Sequence, residues 1–180
     1  DGAGVLGDGE DGVSNGAIRG DTMSNVNRET VKTYRIPKYT ISLVRDSAVS
    51  SNVKRISSSA DVAKVFRAII GATDREQFVL LCLDVKNRII GANVVSMGSL
   101  SLSIVHPREA FKAAILMNAA TVIFGHNHPS GDHEPSPEDR TLTRKLVQGG
   151  QILGIRVLDH VIVGDGTKHY YSFADEGQLN

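Results

Sequence analysis

The segment from residue 121 to residue 139 constrains this chain most, because it joins a short apolar run to three residues that bind metals well. The run at 121–124 has the composition of a buried strand and ends at Gly125. His126 and His128 follow, and ten residues separate His128 from Asp139. Side chains two positions apart point the same way in extended chain, so both imidazoles can face one ion. Two imidazoles and a carboxylate leave one position of a tetrahedral zinc ion open to water. We therefore predict a metal site here.

The loop between the histidines and the acid has the features of a fixed structure. Prolines at positions 129, 135 and 137 restrict the backbone and reduce the entropy of holding the ligands together. Ser136, followed by proline and an acid, matches the start of a helix that would carry Asp139 in its first turn. Each feature alone has a simpler interpretation, since acids favour helix N-termini and paired histidines occur on surfaces. Their combination with the spacing favours a metal site.

Helices alternate with strands along the rest of the sequence. Apolar periodicity predicts strands at 39–45, 77–83, 89–95, 100–105, 121–124, 152–158, 160–163 and 170–173, and helices at 58–70, 106–117 and 136–147. The strand at 77–83 is a nearly continuous apolar run, which is typical of burial on both faces, and the turn at 84–88 makes it the first half of a hairpin. This pattern predicts an α/β domain with a mixed sheet and helices on its faces.

The N-terminal part of the chain has a different composition. Residues 1–22 contain seven glycines and five acids against one basic residue, so they bury too little apolar area to offset their ordering entropy. These residues fit an added leader and a natural upstream linker equally well. Residues 24–38 are polar and predict an extended arm. We therefore expect a disordered leader and arm over 1–38, and a folded domain over 39–180.

Charge and cysteine content exclude several classes of protein. The net charge of the chain is zero, and residues 23–180 carry 19 basic and 15 acidic side chains, a weak bias that does not indicate a nucleic-acid partner. The one cysteine, Cys82, excludes a disulfide within the chain and fits a reducing compartment. No apolar run approaches the ~20 residues of a membrane span, and no signal peptide is visible. We expect a cytoplasmic protein without a membrane partner.

Hydrolysis at such a site also needs a general base near the attacking water. Four acids are candidates by their position in the sequence: Glu76, Glu109, Glu134 and Glu138. Glu76 begins the buried strand, so a rigid element would hold it, but spacing alone leaves the choice open.

Three further residues have two interpretations each. Asp132 and His133 are spare candidate ligands, although a solvated loop position is the simpler interpretation for both. His160 lies in a predicted strand, where it is either a satisfied core histidine or a hydrogen-bond partner of a metal ligand. The sequence favours the core histidine.

A known motif matches these residues at the same spacing. Glu76 upstream, then His126-x-His128, then Ser136-x-x-Asp139, resembles the JAMM (MPN-plus) metalloprotease motif. The version H-N-H-P-S-G-D-x-x-P-S-x-x-D is similar to that of the RadC family of bacterial proteins. Other stretches agree with that family, namely D-R-E-Q-F at 74–78, L-D-V-K-N-R at 83–88, H-P-R-E at 106–109 and L-D-H at 158–160.

The resemblance covers about residues 39–173 and assigns a role to each motif residue. It implies that His126, His128 and Asp139 bind zinc. It implies that Glu76 takes a proton from the zinc-bound water, and that Ser136 supports the oxyanion of a tetrahedral intermediate. The sequence itself gives Ser136 a second role as a helix cap.

The resemblance also implies a fold and an activity. The fold would be a three-layer α/β/α sandwich related to cytidine deaminases, although the zinc-binding H-x-E…P-C-x-x-C pattern of those deaminases is missing from the sequence. The activity would be zinc-dependent hydrolysis of amide bonds, peptide or isopeptide, in an unknown protein or peptide substrate. The family's association with DNA repair gives an alternative, a DNA-transaction accessory protein, but no helix-hairpin-helix region is visible in 1–38. A purely structural metal fold is a third hypothesis.

Overall fold

The structure, a computed structural model, describes residues 35–98 and 105–179. The chain divides into two units, Asp1–Tyr39 and Thr40–Asn180, and the helices and strands of the described residues all lie in the second. The leader predicted at 1–22 and most of the arm lie outside the described residues. So does the strand predicted at 100–105, apart from Val105.

A five-stranded mixed sheet forms the centre of the second unit. The strands are β1 (Gln77–Leu83), β2 (Ile89–Met97), β3 (Thr121–His128), β4 (Arg156–Gly164) and β5 (Tyr170–Ser172), in the order β2-β1-β3-β4-β5. β3 and β4 are parallel, and the other neighbours are antiparallel. β1 and β2 form the predicted hairpin.

Helices cover both faces of this sheet. They are α1 (Ser59–Ile70), α2 (Pro107–Ala110), α3 (Lys112–Leu116) and α4 (Pro137–Leu153). α1 packs on one face, and α2, α3 and α4 contribute buried residues on the other. The three-layer α/β/α sandwich with a mixed sheet is therefore confirmed. Among the described residues, no helix combines the length and the apolar character needed to cross a membrane.

Strand alternation divides the core into two clusters. All seven residues of β1 are buried, as its apolar run predicts. Its even-numbered residues pack with α2, α3 and α4, and its odd-numbered residues from 79 onward pack with α1. β3 divides in the same way, so Val122 and Phe124 belong to the α4 side and Ile123 to the α1 side. Side chains at positions 126 and 128 continue the row of Val122 and Phe124, so they lie on the face of the sheet that α4 covers.

Gly125 lets α1 approach β3 closely. A Cβ atom at position 125 would lie 2.3 Å from Cε2 of the Phe66 ring, which α1 places over the strand. Phe66 is fully buried. The glycine that ends the apolar run in the sequence is thus required by packing, immediately before His126.

The predicted strand at 39–45 is wrong. Residues 40–45 adopt no strand, and Ile41, Leu43 and Val44 are exposed. An alternating pattern produces a strand only where a neighbouring strand and a packed face stabilise it.

The sequence also misplaced the end of α4 and the strand after it. The predicted stop at Gly149-Gly150 is wrong, because α4 continues to Leu153 and ends at Gly154, which adopts the left-handed conformation (φ 68°). Gly150 is needed for close packing, since a Cβ there would lie 2.5 Å from the carbonyl oxygen of Ile155.

The sequence also divided two elements wrongly. The two strands predicted at 152–158 and 160–163 form one strand, β4. The single helix predicted at 106–117 is interrupted at Phe111 and forms α2 and α3.

Candidate metal centre

His126 and His128 lie on β3 itself, not in the loop where the sequence placed them. β3 extends to His128 because both neighbours supply hydrogen bonds: β1 pairs with it as far as His126, and β4 as far as His128. Strand alternation directs both imidazoles to the α4 side of the sheet. His126 is fully buried and His128 is partly buried, so the strand presents one enclosed and one accessible imidazole.

Asp139 reaches the histidines from the first turn of α4. Ser136 caps the helix: its Oγ accepts a hydrogen bond from the Asp139 backbone N–H at 3.1 Å. The Asp139 carboxylate accepts in return from the Ser136 N–H at 2.8 Å and from its hydroxyl at 2.6 Å, both at Oδ2. This reciprocal capping box fixes the position of the carboxylate before any ion binds. The cap expected for Ser136 is thus present, and its hydroxyl also touches the predicted ligand.

The three predicted ligands converge on one point. Nε2 of His126 lies 3.0 Å from Nε2 of His128 and 3.3 Å from Oδ1 of Asp139. Nε2 of His128 lies 3.6 Å from Oδ2 of Asp139. One ligand atom from each residue falls within 4.8 Å of the others, so the buried cluster could hold a metal ion.

The charges in this cluster are strongly coupled. Burial alone would raise the pKa of Asp139, but hydrogen bonds from His126 and His128 outweigh it and hold the pKa of this carboxyl far below its usual range. Hydrogen bonding to Asp139 raises the pKa of His128, against the opposing effect of burial. The cluster therefore keeps an ionised carboxylate at neutral pH, which is the form that binds a cation.

His160 and Thr143 lie behind His126, away from the convergence point. Nε2 of His160 is 2.9 Å from Nδ1 of His126, and Nδ1 of His160 is 2.6 Å from the hydroxyl of Thr143. His160 is fully buried, which lowers its pKa well below the usual value and keeps the ring neutral. The sequence favoured a core histidine at 160, and the ring is indeed in the core, but it also contacts a candidate ligand. Thr143 gave no sequence signal beyond its position four residues after Asp139.

Glu76 lies directly before β1 and is half-buried. Phe78 pairs with His126, so continuing this register by two residues places Glu76 opposite His128. The negative charge of Glu76 contributes to the raised pKa of His128. The backbone carbonyl of Glu76 accepts a hydrogen bond from Gly98 N–H at 2.8 Å. The structure therefore brings Glu76 close to the ligand cluster.

The other three acids considered as bases lie elsewhere. Glu109 is exposed on α2 and pairs with Lys112. Glu134 is exposed in the loop before α4, and Glu138 is exposed on the first turn of that helix. None of the three belongs to the ligand cluster found among the described residues.

The two spare candidate ligands also stay outside the cluster. The backbone oxygen of Asp132 accepts a hydrogen bond from Nδ1 of His128 at 2.8 Å, so this residue orients a ligand through its main chain. The His133 ring stacks on His169, with ring centroids 5.6 Å apart.

Asn127, between the two histidines, holds the chain on both sides of Glu76. Its Oδ1 accepts from the Gln77 N–H at 2.8 Å, and its Nδ2 donates to the Arg75 backbone oxygen at 3.1 Å. Nδ2 also contacts the Asp165 carboxylate at 3.0 Å. The side chain is fully buried and points to the opposite side of the sheet from the two histidines. Sequence reasoning missed this residue, because its partners lie 38 to 52 positions away.

Comparison with known proteins supports the family predicted from the motif. The chain is 50% identical over 141 residues to a UPF0758 protein of Rubrobacter xylanophilus, covering 77% of this chain and 61% of that protein. It is 49% identical over 132 residues to a UPF0758 protein of Methanosarcina mazei, covering 73% and 57%. A UPF0758 protein of Trichlorobacter lovleyi is 51% identical over 127 residues, covering 71% and 54%. The chain thus spans little more than half the length of these relatives. The family model described as the RadC-like JAB domain matches residues 56–178. The chain belongs to the family of RadC-like JAB domains.

Proposed function

We propose that this domain is a zinc-dependent hydrolase of amide bonds, either peptide or isopeptide. The observation that carries the proposal is the convergence of His126, His128 and Asp139 on one buried point beside Glu76. The chain spans only part of its relatives, so the substrate of the whole protein is a separate question.

The donor atoms and their spacing fit zinc. A tetrahedral zinc ion with bonds of about 2.0–2.1 Å holds its ligand atoms roughly 3.3–3.4 Å apart. In the cluster the two Nε2 atoms lie 3.0 Å apart, His126 lies 3.3 Å from Oδ1 of Asp139 and His128 lies 3.6 Å from its Oδ2, so small side-chain movements would bring one oxygen to this spacing. Two nitrogens and one oxygen suit zinc better than magnesium, which prefers oxygen ligands and keeps several waters. Zinc held there would act as a Lewis acid and lower the pKa of a bound water to about 7.

Glu76 is the residue that we assign as general base. Of the four candidate acids it is the one close to His128, and it directly precedes the buried strand β1. A carboxylate in this position accepts the proton of the attacking water and returns it to the leaving amine, a contribution of about 10²–10⁴-fold in rate.

Ser136 is the residue that we assign to the developing oxyanion. Its hydroxyl now donates to Oδ2 of Asp139, and that oxygen also accepts from the Ser136 backbone N–H. The hydroxyl can therefore turn towards substrate while the backbone N–H still holds the carboxylate. A donor placed at the oxyanion lowers the barrier by about 3–4 kcal/mol in the best cases.

Zinc content and turnover together test the proposal. Purified protein should contain about one zinc per chain, and His126→Ala should lose it. A panel of peptide and isopeptide substrates should include at least one that the protein cleaves. Glu76→Gln should keep the zinc and lose about 10²–10⁴-fold in rate. Glu109→Gln, an exposed acid on α2, is the matched control and should cleave at the wild-type rate.

Two results would contradict the proposal. Protein with intact ligands that binds no zinc would exclude it outright. Zinc-loaded protein whose cleavage is unchanged by Glu76→Gln would exclude the assigned base, and zinc-loaded protein that cleaves none of the substrates would favour the structural metal fold. The DNA-transaction alternative stays a prediction, and its test is DNA affinity that falls steeply with salt.

A further inference from the structure

We propose that Thr143 and His160 fix a proton of His126 on Nδ1, so that Nε2 is the ring nitrogen presented to the metal. The proposal rests on the metal-binding part of the proposed function and is independent of the hydrolysis. Both residues are positioning residues, because neither contacts the point where the ligand atoms converge.

The three side chains form one continuous line of buried hydrogen bonds. The Thr143 hydroxyl donates to the Asp139 backbone oxygen at 2.7 Å. The same hydroxyl lies 2.6 Å from Nδ1 of His160, and Nε2 of His160 lies 2.9 Å from Nδ1 of His126. Thr143 is 1% exposed, and both histidines are 0% exposed, so water does not compete for these bonds.

The direction of donation along this line is fixed, because the Asp139 backbone oxygen at one end can only accept a hydrogen bond. A backbone carbonyl has no proton to give, and a threonine hydroxyl has one proton. Since that proton goes to the oxygen of Asp139, the hydroxyl must accept from His160. Nδ1 of His160 therefore carries the proton of the neutral ring, and its Nε2 accepts from Nδ1–H of His126.

The consequence falls on the atom that faces the other ligands. Because Nδ1 donates to His160, Nε2 is the nitrogen of His126 that faces the other ligands, 3.0 Å from Nε2 of His128 and 3.3 Å from Oδ1 of Asp139. The opposite direction would make Nδ1 the acceptor, and the neutral ring would then carry its only proton on Nε2, where it blocks a metal ion. Thr143 thus prepares the binding atom of His126 from two side chains away.

The surroundings of His160 hold the line in place. Its ring stacks on Phe173 with centroids 5.1 Å apart and packs edge-on against Phe78 at 5.5 Å. Its backbone N–H donates to Asp159 at 2.7 Å. These contacts fix the ring plane, so His160 has little freedom to turn away when its partners change.

The proton positions can be measured directly in zinc-free protein. Long-range ¹H–¹⁵N spectra of histidine-labelled chain distinguish a protonated ring nitrogen from an unprotonated one. We expect His126 and His160 both to carry the proton on Nδ1. An unprotonated Nδ1 on either ring would overturn the proposal. This measurement requires neither bound zinc nor activity, so it stands even where the proposed function fails.

Zinc affinity provides the second arm of the test. Thr143→Val keeps the shape of the side chain and removes the hydroxyl, so His160 loses its acceptor. Zinc binding, measured by competition with a chromophoric chelator, should weaken by about 10-fold or more. Thr143→Ser restores the hydroxyl and should restore the affinity and the Nδ1–H tautomers. Folded Thr143→Val protein with wild-type tautomers and affinity would refute the proposal, and the wild-type spectrum alone decides the matter if that variant fails to fold.

Discussion

Replacing Gly125 by alanine should destabilise the domain through one identifiable contact. The new Cβ would lie 2.3 Å from Cε2 and 2.4 Å from Cδ2 of Phe66. Carbon atoms pack best at about 3.5–4.0 Å, so the ring or α1 must move by roughly 1 Å or more. Phe66 is fully buried in the α1 layer, which leaves it little room to move.

The expected cost follows from the packing. Forcing an extra carbon into a filled core destabilises a protein by about 1–3 kcal/mol. Alanine in place of a strand glycine gains back about 0.5–1 kcal/mol by reducing the freedom of the unfolded chain. We therefore expect Gly125→Ala to lower the free energy of unfolding by about 0.5–2 kcal/mol, measured by urea denaturation of zinc-free protein.

A double-mutant cycle identifies the origin of that loss. Phe66→Ala costs about 3–5 kcal/mol by itself, because it leaves a cavity. In that background the space around position 125 is open, so adding Gly125→Ala should cost nothing and should instead gain back about 0.5–1 kcal/mol. Phe66→Leu gives a milder version of the cycle if Phe66→Ala is too unstable to measure. Equal losses in both backgrounds would show that the ring contact is not the cause, and would refute the reasoning.

Three further predictions concern buried polar groups in zinc-free protein. The pKa of Asp139 is lowered, so its ionised carboxylate stabilises the fold above the ordinary pKa of 3.8, and this stability is lost as the pH falls below 3.8. Asp139→Asn should therefore reduce the fall in the free energy of unfolding at acid pH, measured by urea denaturation. Burial raises the pKa of Asp159, which makes its contribution to stability fall as the pH rises above 3.8. Asp159→Asn should remove that pH dependence in the same profiles, whereas Asp159→Ala should cost about 1–3 kcal/mol because it leaves buried N–H groups unpaired. Asn127→Ala should accelerate hydrogen exchange at the Gln77 amide and leave the Leu80 amide protected, and unchanged exchange at Gln77 would contradict its role.

The sequence predicted the parts of the site that depend on local chemistry. The capping box at Ser136 and Asp139 involves residues three positions apart, and serine followed by proline is typical of a helix start. The pairing of His126 with His128 follows from the two-residue period of any strand. Such short-range rules hold regardless of what packs above them, which is why the two imidazoles share one face of the sheet and α4 starts where the sequence predicts.

Long-range contacts decided the features that the sequence missed. Glycines 149 and 150 looked like a helix stop, but α4 continues through them because Pro107, Phe111 and Ile155 pack where side chains would stand. A glycine in a helix costs about 1 kcal/mol, which close packing can offset. A local pattern does not distinguish a glycine that ends a helix from one that admits a neighbour.

Two different parts of the fold hold the candidate site, one for the metal ligands and one for Glu76. His126, Thr143 and His160 lie on β3, α4 and β4, one β-α-β unit in which the helix starts where β3 ends and returns the chain to the parallel strand. Glu76 instead lies directly before β1, and Asn127 holds the residues on either side of it from the opposite side of the sheet. Metal affinity and base placement should therefore respond to different substitutions. Thr143→Val should weaken zinc binding, whereas Asn127→Ala should leave zinc affinity close to wild type and lower turnover of any substrate found. Loss of zinc affinity in Asn127→Ala would show that the two parts are not independent.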